Sequence, residues 1–504
     1  MTSDSTVSAA DTRARRIAAW SRAHHPLIAF GLLLVCFVPL LGMSRYNYPA
    51  GDDYANVVVA QQLGTVGAVR WWYVNWTGRY ASFFFQSLYP RFDSWLLAYT
   101  LVPIALFLIG FGCLFAFVRA AFGPRFARTE IFTFSALAYI FLVGLTPDMA
   151  TGFYWMPTNM QYLGAVFLTL LVLALHIDLE RASSPVGRAF LMVIAIALIA
   201  VLAGLNEISI ILFIAVMASV SFVRFRSSGR IPAVSLTLLI ASILFALVSL
   251  LAPGNVVRAT ETPSPTHWLT GVLSGLGLTV SLVVDLLSVP TLLLGSMLYL
   301  AFLERNRHRL EHVSSCVAAF RSRWMLVLMI CIFSVVNVVV CTAVGMHSLA
   351  ERVKNVHIYS LVIAWFFCLT VLFAGSAGVT FSIPRWIAVL LIASLAIFLL
   401  TGFDFEVRLG SAAPSATRMQ RVFSRVRTNS IYTNAYLDIL SGRAARYARQ
   451  NEEISARFRA ANGDCVDIPP PADRPETIFV DFVKYPQRWC AREFYLRLRG
   501  DSSP

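Results

Sequence analysis

The chain has 504 residues, 58% of them hydrophobic and 13% charged, against about 25% charged in an ordinary soluble protein. Its 41 Lys and Arg exceed its 27 Asp and Glu by 14, and residues 403–504 hold 28 of these 68 charges, leaving 40 for the first 402 residues. So apolar a surface cannot be kept in water, which excludes a cytosolic enzyme, a disordered protein and a nucleic-acid-binding domain.

The expectation is an all-α polytopic membrane protein whose first partner is the lipid bilayer. Residues 1–25 carry Arg13, Arg15, Arg16 and Arg22 ahead of the apolar run Leu27–Met43. No small-residue cleavage site follows, so the run reads as a retained first transmembrane helix and 1–25 as a cytoplasmic tail. Spanning takes about 20 apolar residues, and such runs recur near 95–118, 130–146, 161–179, 189–205, 207–223, 231–251, 324–344, 357–375 and 386–402. The stretch 269–303, which contains Asp285 and Pro290, reads as one span preceded by an in-plane helix or as two spans. Charge favours one. With the N-terminus inside, the segments 1–25, 119–128, 180–188, 224–230, 304–323 and 376–385 hold 18 Lys and Arg and the opposite loops hold seven.

This gives about eleven helices in a transmembrane domain at 26–402, with a large first extracytoplasmic loop at 44–94. The odd count puts 403–504 outside as a small α+β domain. Within it Thr417–Arg427 and Asn434–Arg459 read as helical, and Thr477–Val483, after Pro469–Pro471, as a strand. Cys465 and Cys490 form the one pair that reads as a disulfide, which needs an oxidising compartment.

Chemistry-bearing residues gather in the loops expected on the outer side. Asp52 and Asp53 lie about ten residues beyond the first span. Adjacent side chains face different ways, so one can act as a base while the other holds a metal, a sugar hydroxyl or a loop amide. Each raises the other's pKa by repulsion. The competing reading is a solvated turn, because Gly-Asp-Asp is a good turn sequence. Tyr46, Tyr48, Tyr54, Trp71, Trp72, Tyr73, Trp76 and Tyr80 crowd the same loop, as an interfacial belt or a surface on which sugars stack. Thr151–Trp155, Gly204-Leu205-Asn206-Glu207 and Pro253–Arg258 are expected at the same surface, with His347, Glu351, Arg352 and Lys354 in the loop after the ninth helix. An acid such as Glu207 in a short apolar hairpin is costly, and reads as a site residue or a structural hydrogen-bonding group. Arg258 and Arg352 read as headgroup anchors or as ligands of a phosphate, which a guanidinium fork suits. Asp285 reads as helix packing or a helix break. There is no Walker A loop, GxGxxG, HExxH, CxxC or GxSxG sequence.

The acidic pair in a first large outer loop, with Gly51-Asp52-Asp53-Tyr54, Trp76-Thr77-Gly78-Arg79, Gly204-Leu205-Asn206-Glu207 and Pro253-Gly254-Asn255…Arg258 in that order, resembles the GT-C superfamily of integral membrane glycosyltransferases. The likeness is greatest to bacterial GtrII-like glucosyltransferases and a related uncharacterised membrane family, and covers about residues 20–405. It implies a polyprenyl-phosphate sugar as co-substrate and transfer to an envelope glycan, lipid or protein outside the bacterial inner membrane. By that analogy Asp53 or Asp52 is the catalytic base. Arg258, Arg352, Lys354 and Arg79 hold the lipid phosphate. Tyr54, Trp76, Trp155, Asn206, Glu207, Asn255 and His347 bind sugar or acceptor. Some members of the superfamily use a divalent cation and others do not, and two carboxylates are too few to specify a metal site. The alternatives are a transporter or flippase of lipid-linked glycans, which predicts charges deep within the spans, and an O-antigen polymerase or ligase, which leaves Asp52 and Asp53 unexplained.

Overall fold

The structure, a computed structural model, describes residues 9–89, 95–261, 268–310, 325–344, 350–375, 381, 383–401, 404–406, 425–427, 430–460, 465–468, 472–475, 477–479 and 487–490. His347 lies outside them, as do the side chains of Tyr54, Cys465 and Cys490.

The apolar runs fold as helices: α1 (Ala9–Met43), then, after two helices of the first loop, α4 (Trp95–Phe122), α5 (Arg128–Gly144), the short α6 (Met156–Asn159), α7 (Ala165–Arg181), α8 (Pro185–Leu205), α9 (Glu207–Ser228) and α10 (Ala233–Leu250). They continue as α12 (Trp268–Ser288), α13 (Pro290–Arg305), the short α14 (Arg307–Leu310), α15 (Met325–Val344), α16 (Glu351–Gly375) and α17 (Arg385–Thr401). Among the described residues eight helices are long and apolar enough to cross a membrane. The runs at 324–344 and 386–402 fold as helices with shorter apolar stretches, α15 and α17, and the run at 130–146 as the 17-residue α5. The protein is a multi-pass membrane protein whose membrane domain is all-α. Its lateral faces expose large apolar side chains, among them Leu108, Phe190, Val193 and Leu244, where only hydrocarbon can solvate them.

Aromatic side chains fill the interior. Phe107 stacks on Phe153 at 4.1 Å and Phe37 on Tyr139 at 5.0 Å, and the buried Tyr139 hydroxyl donates to the Phe107 carbonyl at 2.7 Å. Glycines let helices meet closely. A Cβ on Gly275 of α12 would stand 2.5 Å from Val338 of α15, and one on Gly271 2.8 Å from Thr342, so α12 and α15 pack antiparallel.

The stretch 269–303 breaks at Val289, which is extended ahead of Pro290 at the start of α13, where the missing N–H costs nothing. α13 runs antiparallel to α5: Gly295 lies against Phe141, Phe302 against Phe134 at 5.2 Å, and Arg309 reaches the Glu130 carboxylate at 2.7 Å. Residues 305–310 therefore sit at the end of the bundle where α5 begins, the end to which a single crossing assigns them. His25 of α1, bonded to Thr133 at 2.7 Å, is at this end too.

The first loop is not irregular. It folds as α2 (Asp52–Asn75), kinked at Gly64 with φ 68°, and α3 (Tyr80–Gln86). Two carboxylates in its first turn favour a helix start there. Pro253–Glu261 is likewise helical (α11), and Glu351, Arg352 and Lys354 open α16 rather than lying in a loop.

The tail begins where α17 ends. It contains the strand pair β1 (Asp404–Glu406) and β2 (Arg425–Arg427), helices α18 (Ile431–Leu440) and α19 (Arg443–Ala460), and the strand pair β3 (Cys465–Ile468) and β4 (Gln487–Cys490). Residues 425–427 are thus strand rather than helix, and the expected long helix is divided at Gly442, whose φ of 69° ends α18. Thr477–Phe479 forms a turn, not a strand, because Ile478 and Phe479 both donate to the Pro475 carbonyl. The β3–β4 register sets Cys465 opposite Cys490. α18 enters the bundle between α1 and α17: Tyr432 donates to the Ile140 carbonyl at 2.5 Å and Tyr436 to the Val35 carbonyl at 2.8 Å.

Candidate functional site

Asp52 and Asp53 open α2 after Gly51, whose φ of 56° turns the chain sharply at the bundle's end. Their surroundings differ. Asp53 is 2% exposed, and its Oδ2 accepts the Ala50 N–H at 2.8 Å. Burial pushes its pKa well above the aspartate range, with the Ala50 hydrogen bond and the neighbouring polar groups of Tyr99 and Trp155 pulling the other way. Trp155 also donates to the Ala50 carbonyl at 3.0 Å, and Asn47 ties the approach to α2 by donating to the carbonyls of Tyr99 at 3.0 Å and Tyr154 at 2.8 Å. Asp53 is a strut.

Asp52 is exposed to the open side. The protein wall behind it raises its pKa, and the Arg352 guanidinium opposes that rise. Arg352 stands 5.9 Å from the Trp155 ring, and its charge acts on the Tyr162 side chain.

The second half of the site comes from the α2–α3 turn, the start of α9 and α11. Arg79 grips Glu207 with Nε at 3.0 and 2.9 Å from its two oxygens and Nη2 at 2.9 Å from Oε2. Thr77 adds a bond to Glu207 at 3.4 Å, and the Gln161 amide oxygen accepts from Arg79. Burial acts to lower the Arg79 pKa, but the charge of Glu207 and its neighbours outweigh that and hold it raised. Asn206 caps α9, its Oδ1 accepting from Ile208 at 2.8 Å and Ser209 at 3.0 Å, while its amide donates to the Gln161 carbonyl at 2.9 Å. Asn255 accepts the Gly78 N–H at 3.2 Å and donates to the carbonyls of Ser249 and Leu250. Arg258 lies 5.7 Å from the Trp76 ring. Burial lowers its pKa, and repulsion by Arg79 adds to this, with Glu207 opposing.

Asp52, Arg352, Tyr162, Arg79, Glu207, Arg258, Trp76 and Trp155 thus meet at one end of the bundle, chained by contact and by charge. Asn206 and Asn255 are part of the frame. Lys354 is engaged with Glu351 at 2.8 Å on the rim. Arg79 and Glu207 are bonded to each other rather than turned toward a ligand. Sequence reasoning missed Tyr162, Gln161 and Asp148; the last accepts from Thr151 N and Oγ1 and from Ala150 N, fixing the π-helical turn Ala150–Tyr154. Tyr162 sits in an apolar run, where no sequence signal separates a site tyrosine from a core one. Among the described residues no three His, Cys, Asp or Glu side chains gather as metal ligands.

Below the site lies a cavity of about 1020 Å³ with almost wholly apolar walls. It reaches Ser209, two residues from Glu207, and extends to His25, Thr133 and His176 at the far end of the bundle.

An exposed carboxylate of raised pKa facing guanidiniums backed by indole rings can accept a proton beside a bound anion. Comparison with protein-family models, with curated proteins and with solved structures finds no match.

Proposed function

We propose that the protein is a glycosyltransferase of the GT-C type, moving a sugar from a polyprenyl-phosphate donor to an envelope glycan, lipid or protein acceptor outside a bacterial plasma membrane. The observation that carries this reading is the exposed Asp52 within the field of Arg352, itself coupled to Arg258, above an apolar cavity that suits a lipid chain. Asp52 takes the proton of the acceptor hydroxyl as that oxygen attacks the anomeric carbon. The bond from that carbon to the phosphate oxygen breaks, and the electron pair leaves with the lipid phosphate. Arg258 and Arg352 stabilise the departing charge. Asp53 is assigned to holding the Ala50–Gly51 turn rather than to proton transfer.

The test is mass spectrometry of envelope glycans from cells carrying wild type, Asp52→Asn or Asp53→Asn at matched membrane abundance. Loss of one sugar unit in Asp52→Asn, with Asp53→Asn retaining it, supports the reading. Glycans complete in both variants overturn it. A second reading, transport of a lipid-linked glycan, is favoured by one feature: the cavity continues to His176 at the far end. That reading predicts an intact sugar in Asp52→Asn and intact lipid-linked glycan accumulating on the inner side when the cavity is filled.

A further inference from the structure

The site's cations converge on a residue that belongs to none of the sequence motifs. Tyr162 lies in the π-helical turn Met160–Gly164, a distortion that re-aims side chains and recurs at functional sites. It is 4% exposed. The Arg79 guanidinium stands 6.0 Å from its ring, the charge of Arg352 acts on the same side chain, and Arg258 is coupled to it electrostatically.

A guanidinium has donors and no acceptor. Neither Arg79 nor Arg352 can therefore take the phenol's hydrogen, and its O–H must point elsewhere. Among the described residues no carbonyl, carboxylate or hydroxyl takes that hydrogen. Arg79 is neutralised by Glu207, so the region the hydroxyl addresses is bordered by the charges of Arg258 and Arg352. An anionic oxygen fits it, and Tyr162 supplies a neutral donor among the cations.

We propose that Tyr162 binds a phosphoryl oxygen of the ligand through its hydroxyl, completing with Arg258 and Arg352 a three-sided cradle for a phosphate carrying an apolar chain. Arg79 does not touch the ligand; anchored on Glu207, it positions the phenol. The cavity reaching Ser209 gives the chain its place and selects a lipid phosphate over a free one. The identity of the reaction rests on the glycosyl-transfer reading, but the binding does not.

The test measures binding of farnesyl phosphate, farnesol and inorganic phosphate to the full chain in nanodiscs. Tyr162→Phe keeps the ring and removes the hydroxyl alone. It is expected to weaken farnesyl phosphate about tenfold, the loss of one hydrogen bond to a charged group, and to leave farnesol unchanged. Farnesyl phosphate bound equally by wild type and Tyr162→Phe overturns the proposal, and inorganic phosphate bound as tightly as farnesyl phosphate overturns its lipid part. If Tyr162→Phe does not fold, 3-fluorotyrosine at 162, a stronger donor, is expected to tighten farnesyl phosphate; unchanged binding is the contrary result. Asp52→Asn separates the two readings. Envelope glycans complete in both Asp52→Asn and Asp53→Asn, with farnesyl phosphate binding still sensitive to Tyr162→Phe, end the glycosyltransferase reading and leave the cradle standing.

Discussion

Arg79 and Glu207, 128 residues apart in the chain, are joined by two nitrogens of one guanidinium at 2.9 Å, closing the α2–α3 turn onto the first residue of α9. Breaking a buried pair strands the remaining charge, at a cost of about 3–5 kcal/mol; these side chains are 17% and 19% exposed, so the lower end applies. Glu207→Gln should lower the apparent melting temperature in detergent. Adding Arg79→Gln should restore part of it. A double variant as unstable as the sum of the singles would mean that the two side chains do not act as a pair.

The pH dependence of activity should follow Asp52. A base works only when ionised, so the rate rises with pH through its raised pKa, with a midpoint above the ordinary aspartate range. Arg352 holds that pKa down, so Arg352→Gln should move the acid limb to higher pH as well as slow the reaction. A limb that stays where it was would detach Arg352 from Asp52.

Asp53 should show the opposite kind of behaviour, in stability rather than rate. Its folded-state pKa is raised, so the native protein keeps a proton that the unfolded chain has lost. The associated stability is full below the unfolded pKa and is lost as pH rises toward the folded one. Melting temperature should therefore fall with rising pH more steeply in wild type than in Asp53→Asn, from the ordinary aspartate range upward. Parallel curves would count against a buried, proton-retaining Asp53.

Close backbone approach makes a further set of substitutions diagnostic. A Cβ on Gly254 would stand 2.5 Å from the amide nitrogens of Trp76 and Thr77, and one on Gly78 would collide with the Ser249 carbonyl. Gly78→Ala and Gly254→Ala should each cost about 1–3 kcal/mol or more and misplace Arg79. Gly31→Ala, Gly112→Ala and Gly277→Ala meet nothing within 4 Å and serve as controls. Equal activity across the five would show that the α2–α11 contact is not needed.

The spans were legible because twenty apolar residues in a row have few other uses, and the Asp-Asp pair because charge is conspicuous beside them. The helices within the first loop were not legible: α2 carries mixed Val, Ala, Gln and Trp without a clean apolar stripe, and its helix is held by burial against α11 and α3 rather than by its own pattern. The roles within the site were less accessible still. Asp52 and Asp53 are equivalent as letters, and only the turn at Gly51 decides which one is buried. Arg79 and Glu207 each looked like a ligand group because nothing in a sequence announces that two distant charges meet.

The docking of α18 carries a consequence for how the protein is made. Tyr436 donates to the carbonyl of Val35, a residue 401 positions earlier. At about 5–20 residues per second of synthesis, the ribosome adds Tyr436 some tens of seconds after Val35. Through that interval α1 stands in the bilayer with its eventual neighbour not yet translated, and lipid must fill the gap. A late-made part of the protein completes the surroundings of the first, so premature termination between the final span and α18 would leave every crossing in place and the bundle's end unsealed.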